Sequence, residues 1–183
     1  MRIISGKYAK RNLFTLKSQK TRPTSDKVKE SLFNTLGQFF NGGQVLDLYA
    51  GSGALAIEAV SRGMDHAQIV DINYQAVEII RKNITLTKEE DRFSVYKMSS
   101  QAALKKFAHD QLKFDLVFLD PPYAKQHIIA DMKKILKLQL LNDNALIVAE
   151  TDDATFLEPI SEFALLKEHH LGKTFVRFYR KEN

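Results

Sequence analysis

The apolar run Phe114-Asp115-Leu116-Val117-Phe118-Leu119 ends on Asp120-Pro121-Pro122-Tyr123. An acid, two prolines and an aromatic at a strand end make a stiff loop with free carbonyls beside a flat stacking surface. That set suits one task, holding the exocyclic amino group of a flat heterocycle. Asp120 and the Pro121 carbonyl would each accept an N–H, Pro122 would stiffen the turn, and Tyr123 would stack on the ring. The same four residues also read as an ordinary proline-rich turn, so their meaning depends on what lies opposite them.

A second constellation is Asp47-Leu48-Tyr49-Ala50-Gly51-Ser52-Gly53, after a short apolar strand. Gly51 and Gly53, with Ser52 between them, let the backbone turn sharply and approach a ligand at a helix N-terminus. Asp71 lies 20 residues beyond Gly51 at the end of the next strand, where an acid can accept from ribose hydroxyls. An adenosine ligand is expected. The spacing Gly51-x-Gly53-x-x-Ala56 also fits a dinucleotide fingerprint. Asp47 favours S-adenosylmethionine over NAD, because it can pair with a cationic α-amino group and would repel a pyrophosphate. A buried acid here could instead cap the following helix.

These loops need a frame, and the chain supplies alternating elements. Short β-type runs around Gly6 suggest a hairpin-like N-terminal extension. Thr24 or Ser25 can cap a helix that carries Val28, Leu32, Leu36, Phe39 and Phe40 on one face and stops at Asn41-Gly42-Gly43. Strands at 45–49, 67–71, 93–96, 114–119 and 145–149 then alternate with helices at 52–62, 74–83, 101–108 and 126–138. Asn142-Asp143-Asn144 is expected to turn. The pattern predicts an α/β fold, with right-handed βαβ units in a doubly wound, parallel, Rossmann-like sheet. The last two strands, joined by a turn at His169-His170-Leu171-Gly172-Lys173, should form an antiparallel hairpin at the sheet edge. One domain over 1–183 is expected, with a basic extension at 1–23 and a catalytic core at 24–183.

The net charge of +5 is segregated. Residues 1–29 hold nine Lys or Arg against the single acid Asp26, while the rest of the chain is slightly acidic. Such a concentration points to a polyanionic partner, with Lys7, Lys10, Arg11, Lys20 and Arg22 as candidate phosphate contacts. The alternative is a solvated basic arm without a partner. There is no cysteine, so disulfides and thiolate metal sites are excluded. The five histidines lack ligand spacing, and no metal is expected. The chain has no run of 18 apolar residues and no apolar leader after Met1, so neither a membrane span nor a signal is expected. A cytoplasmic monomer is the expectation.

Four blocks together resemble one family. They are Thr21-Arg22-Pro23-Thr24-Ser25-Asp26-Lys27-Val28-Lys29-Glu30-Ser31-Leu32-Phe33-Asn34, the stretch from Val45 through the glycine loop to Leu55, Ser61-Arg62-Gly63, and Phe114 to Tyr123. They look like the RsmD-type class I methyltransferases, which methylate the guanine N2 amino group in bacterial 16S ribosomal RNA. The resemblance spans nearly the whole chain. It implies a seven-stranded, mostly parallel sheet, S-adenosylmethionine as cofactor, and the small ribosomal subunit or an assembly intermediate as partner. Asp71 stands where that family more usually has glutamate. Ser99 stands where an aspartate that contacts the adenine amino group is common, which leaves a hydroxyl or backbone carbonyl for adenine recognition. Ala9-Lys10-Arg11 replaces a more arginine-rich arm.

An exocyclic amine is a poor nucleophile because its lone pair is delocalised into the ring. Two acceptors at Asp120 and Pro121 would draw the nitrogen towards a pyramidal, reactive state, with catalysis by positioning and electrostatics. The base must be unpaired or leave its helix. Local chemistry does not choose guanine-N2 over adenine-N6; only the resemblance does. An RNA-binding assembly factor that has lost catalysis is the reading from another class.

Overall fold

The computed structural model describes residues 1–16, 26–122, 127–152, 159–172 and 174–182. In chain order the elements are α1 (Asp26–Leu36), β1 (Gln44–Asp47), α2 (Ala54–Ser61), β2 (His66–Asp71), α3 (Tyr74–Thr85), a 3₁₀ turn (Glu90–Arg92), β3 (Phe93–Lys97), α4 (Ser100–His109), β4 (Phe114–Leu119), α5 (Ile128–Lys137), β5 (Leu141–Asp152), β6 (Phe163–Leu171) and β7 (Thr174–Lys181).

The seven strands lie in the order β3-β2-β1-β4-β5-β7-β6. Strands β1 to β5 pair in parallel. β7 runs antiparallel to both β5 and β6. Parallel strands buried on both faces should be continuously apolar, and Val45, Leu46, Val117, Phe118 and Leu119 are each fully buried. Alternation sends Val45 and Phe118 to a core beneath α1, α2 and α3. Leu46, Val117 and Leu119 face a second core beneath α4 and α5. Strand order reverses between β1 and β4, and that switch point opens a crevice at the carboxyl ends of the strands.

The N-terminal segment is hairpin-like as expected. Arg2 bridges Asn12 in antiparallel fashion, with the Ile3 amide on the Arg11 carbonyl at 3.0 Å and the Leu13 amide on the Met1 carbonyl at 2.9 Å. It is not a free arm, because Ile3, Tyr8 and Leu13 are buried in the core beneath α2 and α3. Glu58, wholly buried on α2, accepts from the Ile4 amide at 2.8 Å and the Ser5 amide at 3.0 Å. The same carboxylate meets Lys29 at 3.3 Å and Arg62 at 2.8 Å, both buried. Gly6 fits this close approach with φ of 82°; a Cβ there would sit 1.8 Å from the Ser61 carbonyl oxygen. Lys29, counted above with the basic segment, therefore serves the core, and burial holds its pKa below the usual lysine value.

Several boundaries differ from the sequence reading. α1 ends at Leu36, before Gly37 with φ of 110°, so Phe39 and Phe40 lie outside it. Asn142-Asp143-Asn144 belongs to β5, whose register against β4 shifts between Phe114 and Leu116 while Asn144 takes a φ of 60°. An irregular strand carries turn-like residues, which is why composition reads it as a turn. His169 and His170 lie in β6, and the turn falls at Gly172. Their side chains serve packing: His169 meets the Thr35 hydroxyl at 2.8 Å, and His170 stacks on Phe175 at 4.4 Å.

Candidate active site

Four carboxylates stand in a row along the carboxyl edge of the sheet. Asp71 ends β2, Asp47 ends β1, Asp120 follows β4, and Glu150 lies near the end of β5. All four line one cavity of about 530 Å³, well within the range of small-molecule sites. Gly51, Ser52, Ser99, Pro121 and Pro122 line it too, as do the apolar Leu48, Leu55, Ile72 and Met98.

The glycine loop is built by its neighbours. Asp71 accepts from the Gly51 amide at 2.8 Å with one oxygen and from the Asn73 amide at 2.8 Å with the other. It therefore shapes the loop while facing the cavity. Gly51 has φ of 55° and, among the described residues, no atom within 4 Å of where a Cβ would lie, which leaves its backbone open to a ligand. Gly53 does not line the cavity. Its φ of 75° starts α2, and a Cβ would press on Ile80 at 3.3 Å, so its role is in packing. The Ser99 hydroxyl caps α4 by accepting from the Ala102 amide at 3.3 Å, which leaves its own proton free to donate towards the cavity.

Electrostatics set this edge apart. Burial, then the Asp71 charge, push the Asp47 carboxyl up to about 7, although the Tyr49 and Ala56 amides pull the other way. The Ala56 contact shows that Asp47 serves the first turn of α2, as the second sequence reading of this residue has it. Burial, then Glu150 and Asp47, raise Asp120 well above the carboxylate range. Burial raises Glu150 to about 7. Among the described residues Glu150 Oε2 is buried without a hydrogen-bond partner. Such an edge disfavours anions and gains from a cation.

The structure also places residues that sequence reasoning passes over. Glu150 follows a buried apolar run as Asp120 does, and an acid closing Ala145-Leu146-Ile147-Val148-Ala149 is a readable signal. Tyr49 lines the cavity and donates its hydroxyl to the buried Asp131, which also accepts from Gln101 at 2.7 Å. Met1, Thr15 and Leu16 bring the N-terminal hairpin to the cavity wall; no local signal announces that. Of the proposed nucleic-acid contacts, Lys10 is exposed. Lys7 pairs with Glu89 at 2.6 Å, and Arg11 reaches the Thr87 carbonyl at 3.0 Å while lying over the Tyr8 ring. Tyr123, Lys20 and Arg22 lie outside the described residues, as do Thr21 to Ser25 of the Arg-Pro-Thr block. Among the described residues no three His, Asp or Glu side chains group as metal ligands, and no helix is long and apolar enough to cross a membrane.

Sheet order, the antiparallel final hairpin and a crevice at the β1–β4 switch define a Rossmann-like class I methyltransferase fold. The chain belongs to the RsmD family: the family model described as "Conserved hypothetical protein 95" matches residues 1–180. A Bacillus subtilis protein provisionally named rRNA methyltransferase YlbH is 39% identical over 182 residues, 99% of either chain. "Ribosomal RNA small subunit methyltransferase D" of Haemophilus influenzae is 35% identical across 98% of this chain and 93% of its own. The solved structure of a conserved hypothetical protein from Streptococcus pyogenes superimposes with a TM-score of 0.81 at 45% identity, covering 85% of this chain and 96% of that one.

Proposed function

We propose that this protein transfers a methyl group from S-adenosylmethionine to the N2 amino group of a guanine in small-subunit (16S) ribosomal RNA. The observation that carries the reading is the meeting of Asp47, Asp120 and Glu150 around one cavity beside the glycine loop. Three acids with raised pKa values, and a Glu150 oxygen without a partner among the described residues, suit a ligand with both a sulfonium and an ammonium group. Gly51 leaves room for close backbone approach, and Asp71 faces the cavity with acceptor capacity left for ribose hydroxyls.

S-adenosylmethionine supplies an electrophilic methyl group. The protein's own part is to orient the acceptor. A cation beside Asp120 favours its ionised form, which then accepts one amine N–H while the Pro121 carbonyl accepts the other. Pro121 is buried and rigid, so this pair of acceptors is preorganised. The names of the relatives support ribosomal RNA as the substrate class. The exposed Lys10 and the basic hairpin suit a phosphate backbone. The reaction would take place in the cytoplasm, on the small subunit or a precursor of it.

Undermodified small subunits incubated with the protein and labelled cofactor provide the test. Nucleoside mass spectrometry should find N2-methylguanosine, and Asp120→Asn should reduce the yield by about 10²-fold or more. N6-methyladenosine would overturn the guanine assignment, and equal activity of Asp120→Asn would overturn the site.

A further inference from the structure

Asn83 is fully buried on α3, and its amide joins two parts of the chain. Its Oδ1 accepts from the Phe14 amide at 2.8 Å, and its Nδ2 donates to the Phe14 carbonyl at 3.0 Å. The same Nδ2 donates to the Ser52 carbonyl of the glycine loop at 2.9 Å. One planar group thus holds the hairpin strand and the cofactor loop in a single geometry. Immediately past this clamp, Thr15 and Leu16 enter the cavity wall, and at the hairpin's other end Met1 Sδ lies 3.9 Å from the Ser52 hydroxyl. The segment expected to meet RNA is therefore also a wall of the cofactor cavity.

Resting on the cofactor reading above, we infer that Asn83 is a positioning residue that couples cofactor binding to the N-terminal hairpin, so that cofactor and RNA strengthen each other's binding. A ligand that orders the Ser52 carbonyl fixes the Asn83 amide, and the fixed amide holds both polar groups of the Phe14 backbone. Order on one side lowers the ordering cost on the other. Linkage makes the effect reciprocal. Only an amide side chain supplies both the acceptor and the paired donors. A carboxylate at this position would not donate, so Asn83→Asp cuts the connection at near-constant volume.

Amide hydrogen exchange on the full chain, with and without S-adenosylhomocysteine, provides the test. In the wild type the ligand should slow exchange at Gly51 and Gly53 and also at Ile3, Leu13 and Phe14. In Asn83→Asp the glycine loop should still be protected while the hairpin amides are not. A 16S rRNA transcript should tighten S-adenosylhomocysteine binding about fivefold or more in the wild type, and that ratio should fall towards one in the variant. A second variant, Leu13→Ala, leaves Asn83 intact but loosens the buried hairpin, and should lower the ratio in the same way. A merely structural Asn83 would weaken binding equally with and without RNA and leave the ratio unchanged. Protection of the glycine loop without the hairpin in the wild type would overturn this inference alone. No protection anywhere would overturn the cofactor reading and this inference with it.

Discussion

Glu150 and Asp120 each stand one residue past the paired Ala149 and Leu119 of neighbouring parallel strands, and after burial the Glu150 charge is the largest influence raising the Asp120 pKa. Asp47, on the other side of Asp120 in the sheet, adds to it. Asp120 thus sits between two further acids, and its charge state is tied to whatever cation enters the cavity.

Stability of the free protein should fall as pH rises towards neutrality. Asp47 and Glu150 have folded-state pKa values raised to about 7 from ordinary values of 3.8 and 4.5. Their stabilising contribution is complete below about pH 4 and lost as pH climbs through about 7. A tenfold change in proton affinity is worth about 1.4 kcal/mol, so the loss is on the order of a few kcal/mol. Urea midpoints at pH 5 and pH 8 should show it, and Glu150→Gln should reduce the difference. Equal midpoints, in wild type and variant alike, would count against the charged edge.

Cofactor binding should release protons near pH 7. A cation in the cavity favours ionised Asp47, Asp120 and Glu150, so affinity rises through neutrality. Calorimetric titrations in two buffers of different ionisation enthalpy measure the release directly. It should be larger for S-adenosylmethionine than for S-adenosylhomocysteine, which lacks the sulfonium charge. Proton uptake in either titration would contradict the electrostatic assignment.

Replacing Glu58 by Ala should cost about 3–5 kcal/mol, as for other broken buried ion pairs. Lys29 and Arg62 lose their counter-ion, and the Ile4 and Ser5 amides lose their acceptor. Denaturant unfolding gives the cost. Proteolysis within the first 16 residues should accelerate by more than global stability explains.

Two glycine substitutions should differ in kind. Gly51→Ala meets no neighbour and bears only the left-handed strain, about 1–2 kcal/mol, but places a methyl group where the loop lines the cavity. Gly6→Ala drives a Cβ onto the Ser61 carbonyl and must displace the hairpin. Thermal melts should fall further for Gly6→Ala, while S-adenosylhomocysteine affinity per degree of melting temperature lost should fall further for Gly51→Ala.

The sheet is legible in the sequence because buried parallel strands are short apolar runs between glycines and acids, as with Leu46-Asp47 and Leu119-Asp120. Asp47 and Asp71 can be placed because strand ends in this topology face a common edge. The hairpin's contact with the cavity is not legible. It depends on Glu58, Asn83 and Ser61, which lie 50 to 80 positions from their partners and look like ordinary helical residues. The irregular start of β5 misleads because a shifted register uses the residues that make turns. The histidine pair misleads because β6 runs on through both histidines to Leu171.

The pairing of β1 with β4 acts as a ruler. Asp47 lies opposite Phe118 in the parallel ladder, so Asp120 stands one strand spacing across, about 5 Å, and two residues along, about 7 Å. Asp47 and Asp120 are therefore spaced by main-chain geometry and not by flexible side chains. Insertions in the connections between β1 and β4 leave that spacing intact while the rungs hold. A slip of one rung would turn every β4 side chain to the opposite face and carry Asp120 away from its partner acids.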